Sequence, residues 1–183
     1  MNYTKLAIFD LDDTLIRPPL FTHMKELQMR FMDLKFSSIY DFYDHPISLD
    51  PKLYDILAIE PVLESAKAAY SDGDTLSCLV THRSKHLSSQ VETVLRGKGL
   101  ALDNYFYLGR VTHKYQTVES IMLDNPEIKQ IDIYEDSFIQ IYDYYSNLNL
   151  DGVKINYWFV DKTRVFKLDS IPTISNKEHI KLV

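Results

Sequence analysis

Two groups of acidic residues follow apolar stretches of this 183-residue chain, and their types and spacing suit chemistry on a phosphate group. Asp10 and Asp12 come directly after the apolar run 6–9, and Glu135 and Asp136 follow the stretch 131–134. Carboxylates brought side by side repel each other unless a cation intervenes, and Mg²⁺ is a hard ion that prefers oxygen ligands. A carboxylate at a strand end can also attack phosphorus, while a second one two residues on handles the proton.

A threonine and a lysine could complete such a site. Thr81 ends the apolar stretch 76–81, and its hydroxyl and backbone amide could bind phosphoryl oxygens. Lys114 lies upstream of the fourth apolar stretch and offers a charge that would neutralise nucleophile and phosphate together. Each residue also has an ordinary explanation, because acids and threonines cap helices and form turns, and most lysines are solvated. The chemical interpretation depends on all these features occurring together.

The elements that must position these residues alternate between short apolar strands and amphipathic helices. Strands are predicted at 5–10, 76–81, 105–108, 131–134 and 153–160. This alternation predicts an α/β fold, a three-layer α/β/α Rossmann-like parallel sheet with strand order 3-2-1-4-5. Ligands of such sheets bind beyond the carboxyl ends of the strands, which is where the acidic residues and Thr81 lie.

The stretch 17–60 does not follow this alternation. We predict that it is a small cap or insertion after the first strand, within a single domain that spans 1–183. It includes a predicted helix over about 22–34 and then a loop rich in aromatic residues. The aromatic residues Tyr40, Phe42, Tyr43 and Tyr54 could stack on a base, but packing of the insertion onto the core is the commoner use. The tail after Val165 has no pattern that indicates chemistry.

Composition narrows the classes of partner and location. The 26 acidic against 20 basic residues give a net charge of −6, which argues against broad non-specific binding of nucleic acid. The single cysteine, Cys78, excludes a disulfide framework and a Cys-based zinc site and fits a reducing cytosol, where we expect no disulfide-linked partner. No apolar run approaches the roughly 20 residues of a membrane-spanning helix, and the N-terminus has no signal-peptide pattern. We therefore expect a cytoplasmic protein with no membrane partner.

Basic residues are concentrated around the predicted site despite the acidic composition. They would suit a phosphorylated ligand, although some of them are expected to be ordinary solvated side chains. These residues are Arg17, His82, Arg83, Lys85, Arg110, His113 and Lys114.

The ordered set of motifs resembles the haloacid dehalogenase superfamily of phosphohydrolases over about residues 4–160. The first motif of that superfamily, an apolar strand followed by DxDxT, is matched by residues 8–14. The second, an apolar strand that ends in Thr or Ser, is matched by 79–81. Lys114 matches a lysine upstream of the fourth strand, and 131–136 match a strand that ends in acidic residues.

The resemblance implies a role for each matched acid. Asp10 would be the nucleophile that forms an aspartyl-phosphate, and Asp12 would be the general acid/base. Asp136, helped by Glu135, would hold Mg²⁺ together with Asp10 and the backbone carbonyl of Asp12. An aspartate at the second position of the DxD motif is typical of phosphatases in this superfamily, which favours hydrolysis of a phosphate ester.

The resemblance also implies a substrate side of the site. Thr81 and Lys114 would steady the phosphoryl group, with His82 and Arg83 next to the substrate. Residues 41–50, the Thr-x-Arg turn at 81–83 and the triplet 134–136 resemble the Swiss Army Knife RNA repair-like branch. Members of that branch often carry Gly where this chain has His82 and Arg where it has Ser137. The implied substrate is a nucleotide or the phosphorylated end of a nucleic acid.

Three other classes use similar residues. A response-regulator receiver places its acids, Thr and Lys in a different strand-end order, which makes that class a poor match. A non-catalytic domain that binds or regulates through a phosphorylated ligand would not need Asp12. A phosphotransferase would use the same residues as a hydrolase. The sequence therefore predicts a Mg²⁺-dependent phosphatase, with a phosphotransferase and a non-catalytic binding domain as alternatives.

Overall fold

A six-stranded, mostly parallel sheet forms the centre of the computed structural model, which describes residues 2–19, 35–169 and 171. The strands are β1 (Lys5–Phe9), β2 (Thr75–Thr81), β3 (Asn104–Tyr107), β4 (Gln130–Glu135), β5 (Lys154–Asp161) and β6 (Arg164–Leu168). Their order is β3-β2-β1-β4-β5-β6, with β1 to β5 parallel and β6 antiparallel to β5. The predicted order 3-2-1-4-5 is confirmed, and β6 extends it by one strand.

Helices cover both faces of this sheet. The α-helices of the described residues are α1 (Ile39–Tyr43), α2 (Glu60–Ser71), α3 (Ser88–Gly97), α4 (Lys114–Asp124) and α5 (Phe138–Asn147). Short 3-10 helices lie at Pro46–Leu49 and Lys85–Leu87. Helices α2 and α3 pack on one face and α4 and α5 on the other, so the three-layer α/β/α prediction is confirmed. None of the helices in the described ranges has the length and apolar character that a membrane crossing requires.

The central strands β1 and β2 are mostly apolar because both of their faces are covered. On β1, Ala7 and Phe9 join the core under α2 and α3, while Leu6 and Ile8 join the core under α4 and α5. All seven residues of β2 are buried, and they include the free thiol of Cys78. Burial on both sides fixes these two strands firmly in the middle of the sheet.

Part of the predicted insertion is described and has its own small core. Its two limbs meet where Arg17 N donates to Leu57 O and Ile59 N donates to Leu15 O, both at 2.9 Å. Phe42 is completely buried among the aromatic and aliphatic residues of this segment. The predicted helix over about 22–34 lies outside the described residues.

Aromatic rings stack across the sheet just below the ends of β1 and β4. The ring of Phe9 stacks on Tyr134 with a centroid distance of 4.8 Å, and Tyr134 stacks on Trp158 of β5 at 5.6 Å. The indole Nε1 of Trp158 donates to Asp132 Oδ1 at 2.9 Å. The stack joins three neighbouring strands directly beside the residues that end two of them.

Candidate active site

The carboxyl ends of three neighbouring strands place the predicted site residues at one edge of the sheet. Asp10 follows β1, Thr81 ends β2, and Glu135 ends β4 immediately before Asp136. The register pairs the last residue of β1 with Tyr134 of β4, and Asp10 N donates to the carbonyl of Tyr134 at 3.2 Å. This alignment brings Asp10 beside the acidic pair that follows Tyr134.

Asp10, Glu135 and Asp136 form an acidic cluster. One carboxylate oxygen from each lies within 4.8 Å of the other two. Burial raises the pKa of Asp10 to about 7, although Lys114 opposes the rise, and burial together with the charges of Asp10 and Glu135 raises the pKa of Asp136 to about 9. Ionising buried carboxyls that lie this close together is unfavourable unless a cation compensates the charge. Their oxygens could therefore serve as ligands of a divalent cation.

Lys114 is the cation inside this cluster. It is the first residue of α4, is 2% exposed, and places Nζ 2.7 Å from Asp10 Oδ1 and 2.6 Å from Glu135 Oε2. Burial lowers the pKa of Lys114, but the two carboxylates outweigh that effect and raise it well above its ordinary range. The second oxygen of Glu135 accepts from Ser137 N at 3.3 Å. Both oxygens of Glu135 therefore have partners within this cluster.

A tight turn after β1 directs Asp12 back toward the cluster. Leu15 N and Ile16 N both donate to the carbonyl of Leu11, and Leu11 and Leu15 are completely buried. Asp13 has a φ of 55°, a left-handed conformation that aspartate tolerates better than most residues. The two buried leucines anchor the turn and leave the Asp12 side chain facing the pocket.

Arg83 pairs with Asp12 through two parallel hydrogen bonds. Its Nε donates to Asp12 Oδ2 and its Nη2 donates to Asp12 Oδ1, each at 2.8 Å. Nearby, Thr81 is buried and its hydroxyl accepts from Arg83 N at 3.2 Å. His82 lies on the rim, where partial burial and the charge of Lys114 lower the pKa of its imidazole. The turn after β2 therefore contributes three different side chains to one site.

A pocket of about 540 Å³ brings the predicted residues together. Its volume falls in the range of roughly 300–1,000 Å³ that small-molecule sites occupy. All eight predicted site residues line it, namely Asp10, Asp12, Thr81, His82, Arg83, Lys114, Glu135 and Asp136. The other lining residues are Asp13, Tyr40, Tyr43, Asp44, Arg110, Ser137 and Gln140.

Some of the basic and aromatic residues expected near the site line the pocket, and others do not. Arg110 lines the pocket, with its guanidinium carbon 5.4 Å from the ring centroid of Tyr40, which is 64% exposed. Arg17 instead donates to the carbonyl of Lys162 at 2.9 Å, and His113 pairs with Asp143. Neither is among the lining residues.

The sequence reasoning missed Asp13, Asp44, Ser137 and Gln140 as lining residues. Asp13 could have been found from its place inside the DxDxT motif, and Ser137 and Gln140 from the start of the helix after the fourth motif. In the structure, Ser137 caps that helix and its hydroxyl accepts from Gln140 N at 3.5 Å. Asp44 lies in the stretch 41–50 that carries the resemblance to the RNA repair-like branch, but that resemblance gave it no role in the site.

Comparisons with known proteins give a likeness in fold. No family model and no curated protein matches the sequence. The chain is similar to a chain in the structure of the Pnkp1/Rnl/Hen1 RNA repair complex, with a TM-score of 0.50, 15% identity, and coverage of 84% of this chain and 42% of that chain. A chain in another structure of the Pnkp1/Rnl/Hen1 complex matches with a TM-score of 0.48 and 15% identity, covering 84% of this chain and 45% of that chain.

The chain thus spans less than half the length of the chains it matches. The fold and the pocket define a Rossmann-like α/β protein with an acidic site that could hold a metal ion.

Proposed function

We propose that this protein is a Mg²⁺-dependent phosphohydrolase of the haloacid dehalogenase-like kind that acts through an aspartyl-phosphate. The observation that carries the proposal is the acidic cluster. Asp10, Glu135 and Asp136 present oxygens within 4.8 Å of one another, and Lys114 Nζ lies 2.7 Å from Asp10. A nucleophile, a metal site and a phosphate-neutralising lysine therefore lie within one pocket.

Two half-reactions follow from these positions. In the first, a carboxylate oxygen of Asp10 attacks phosphorus, the bond from phosphorus to the ester oxygen breaks, and Asp12 donates a proton to the departing oxygen. In the second, Asp12 takes a proton from water, which attacks the phosphorus of the aspartyl-phosphate and releases inorganic phosphate and the Asp10 carboxylate. Lys114 and Thr81 bind the phosphoryl oxygens throughout.

The residues present fit a magnesium ion. Asp10, Asp136 and the backbone carbonyl of Asp12 would hold it, with Glu135 nearby and in contact with Lys114. The donors are all oxygens, which suits a hard cation that keeps several waters. When bound, the ion would offset the negative charge that accumulates where a phosphate approaches a carboxylate.

The substrate that we propose is a nucleotide or the phosphorylated end of a nucleic acid. The pocket is larger than a phosphate group requires, and its rim carries Tyr40, Arg110, His82 and Arg83. Tyr40 offers an exposed aromatic face suited to a base, and Arg110 offers positive charge. The likeness in fold to a chain of an RNA repair complex is in keeping with such a substrate. We also propose that 1–183 act as one domain, with 17–60 as its small insertion.

Phosphate release from a panel of substrates tests the proposal. The panel contains an aryl phosphate, nucleoside 5′- and 3′-monophosphates and oligonucleotides phosphorylated at either end, each with Mg²⁺ or with EDTA. We expect release that requires Mg²⁺ and falls by at least about 10³-fold in Asp10→Asn, because the nucleophile is lost. Asp124→Asn, at an exposed position at the end of α4, is the matched control.

Absence of release would count against a hydrolase and direct attention to the alternatives. Mg²⁺-dependent trapping of a phosphoryl analogue at Asp10 would then indicate a phosphotransferase or a hydrolase whose substrate lies outside the panel. Failure of both release and trapping would indicate a non-catalytic binding domain.

A further inference from the structure

Arg83 joins the insertion to the acid/base residue of the proposed mechanism. Its side chain is almost completely buried, with 4% of the residue exposed. On one side it donates hydrogen bonds to both carboxylate oxygens of Asp12, each at 2.8 Å. On the other side its Nη1 donates to Ser48 Oγ at 2.7 Å and to the backbone carbonyl of Tyr43.

The pairing restricts how the Asp12 side chain can turn. A guanidinium that binds both oxygens of a carboxylate fixes the plane of that carboxylate as well as its position. Asp12 is 27% exposed in the pair, so its side chain still reaches the pocket. Without Arg83, nothing else among the described contacts of Asp12 would hold its carboxylate in one orientation.

The insertion in turn fixes Arg83. Ser48 is completely buried, and the ring of Tyr43 packs against the guanidinium, with 4.9 Å between the ring centroid and the guanidinium carbon. A neighbouring contact fastens the same two segments, since His86 Nε2 lies 2.9 Å from the carbonyl oxygen of Asp44. The position of Arg83 therefore depends on how residues 43–48 sit on the turn after β2.

We propose that Arg83 is a positioning residue, which holds the Asp12 carboxylate in the orientation needed for proton transfer, and that residues 43–48 of the insertion hold Arg83 in place. The inference rests on the proposed function and gives the insertion a part in catalysis without a reacting group of its own. The sequence resemblance placed Arg83 next to the substrate. In the structure each of its three side-chain nitrogens already donates to a protein oxygen.

The dependence of the rate on the leaving group distinguishes a positioning residue from a phosphate ligand. An aryl phosphate has a good leaving group that needs little protonation, whereas a nucleoside monophosphate needs a proton from Asp12. The comparison uses kcat/KM, which reports the first half-reaction alone, because Asp12 also activates the water of the second half-reaction for every substrate. We expect Arg83→Gln to lower kcat/KM on the nucleotide by about 100-fold or more, which is the usual size of an acid/base contribution. On the aryl phosphate we expect a loss of kcat/KM below about tenfold, with the same pattern in Asp12→Asn.

Further variants test each link of this argument. Arg83→Lys keeps the charge but loses the paired hydrogen bonds, and should give the same substrate dependence with a smaller loss. Ser48→Ala removes one contact from the insertion and should also lower kcat/KM selectively on the nucleotide. Arg96→Gln, at an exposed position in the last turn of α3, is the matched control and should leave the rate on both substrates unchanged. An equal loss of kcat/KM on both substrates would show that Arg83 binds phosphate and would overturn the proposal. Unchanged kinetics in Ser48→Ala would show that the insertion does not hold Arg83 in place.

A measurement without turnover separates this inference from the proposed function. Urea unfolding of Arg83→Gln, Asp12→Asn and the double variant should give a coupling of at least about tenfold in the unfolding constant, since the pair is in direct contact. Additive effects would overturn the link between the two residues. If the wild-type protein hydrolyses neither substrate, the proposed function fails together with the catalytic part of the inference. The unfolding measurements on the two single variants and the double variant then decide whether Arg83 holds Asp12.

Discussion

Replacing Lys114 with methionine removes the cation that contacts the acidic cluster in the described part of the chain. Methionine keeps most of the length of the side chain but none of its charge. Asp10 and Glu135, which lie 2.7 and 2.6 Å from Nζ, would remain buried without this partner. Breaking a buried ion pair by removing one member costs about 3–5 kcal/mol, and we expect a loss of that size at pH 8 without divalent metal.

The loss should depend on pH and on metal ions. At pH 5 it should be smaller, because Asp10, with a pKa of about 7, is already protonated in the folded protein and attracts Lys114 less. Mg²⁺ at about 100 times its Kd should stabilise either protein by about 2.7 kcal/mol. Because Lys114 repels a cation, we expect the variant to bind Mg²⁺ more tightly than the wild type does.

Urea unfolding followed by far-ultraviolet circular dichroism, at pH 5 and pH 8 with EDTA or Mg²⁺, measures these differences. The matched control is Lys67→Met, because Lys67 forms an exposed pair with Glu64 at 3.0 Å and should contribute less than about 1 kcal/mol. A loss in Lys114→Met below about 1 kcal/mol at pH 8, or an equal loss at both pH values, would refute the reasoning.

Three further predictions address separate features. In EDTA the wild-type Tm should fall from pH 5 to pH 9. The pKa values of Asp10 and Asp136 are raised in the folded protein, so folding takes up protons, and the stability that this uptake gives is lost as the two carboxyls ionise. A Tm that does not fall would contradict this. Tyr40→Ala should raise KM for a nucleotide by about tenfold or more but leave KM for a phosphate without a base unchanged. The control Tyr70→Ala should change KM for neither substrate, and steady-state kinetics would show whether the effect depends on the base. The hydroxyl of Thr14 is buried without a hydrogen-bond partner among the described residues, so Thr14→Val should raise the free energy of unfolding by about 1 kcal/mol, and a clear destabilisation would indicate an unseen partner.

The strand ends could be predicted from the sequence because two strong constraints agree. Strands buried on both faces are apolar along their length, so each acidic or polar residue that follows one marks its end. Parallel strands then bring those ends to one edge of the sheet. Together with the predicted strand order, this was enough to place Asp10, Thr81 and Asp136 near each other. Lys114 was a weaker prediction, because only its position before a helix and a strand distinguished it from a surface lysine.

The pairing of Arg83 with Asp12 and Ser48 could not be predicted in the same way. These residues are far apart along the chain, and their contacts depend on how the insertion packs, which hydrophobic periodicity does not report. Strand β6 was missed for a different reason. It is an edge strand with mostly exposed side chains, so its five residues lack the apolar run that identified the others.

The ring stack below the site gives the protein a built-in optical reporter. Trp158 is the only tryptophan of the chain, so the indole fluorescence comes from one place. That indole lies against Tyr134, whose neighbour in the chain is Glu135, and Tyr134 lies against Phe9, whose neighbour is Asp10. A ligand that shifts either strand end acts on this column of rings, so the emission of unlabelled protein can be followed as the site fills.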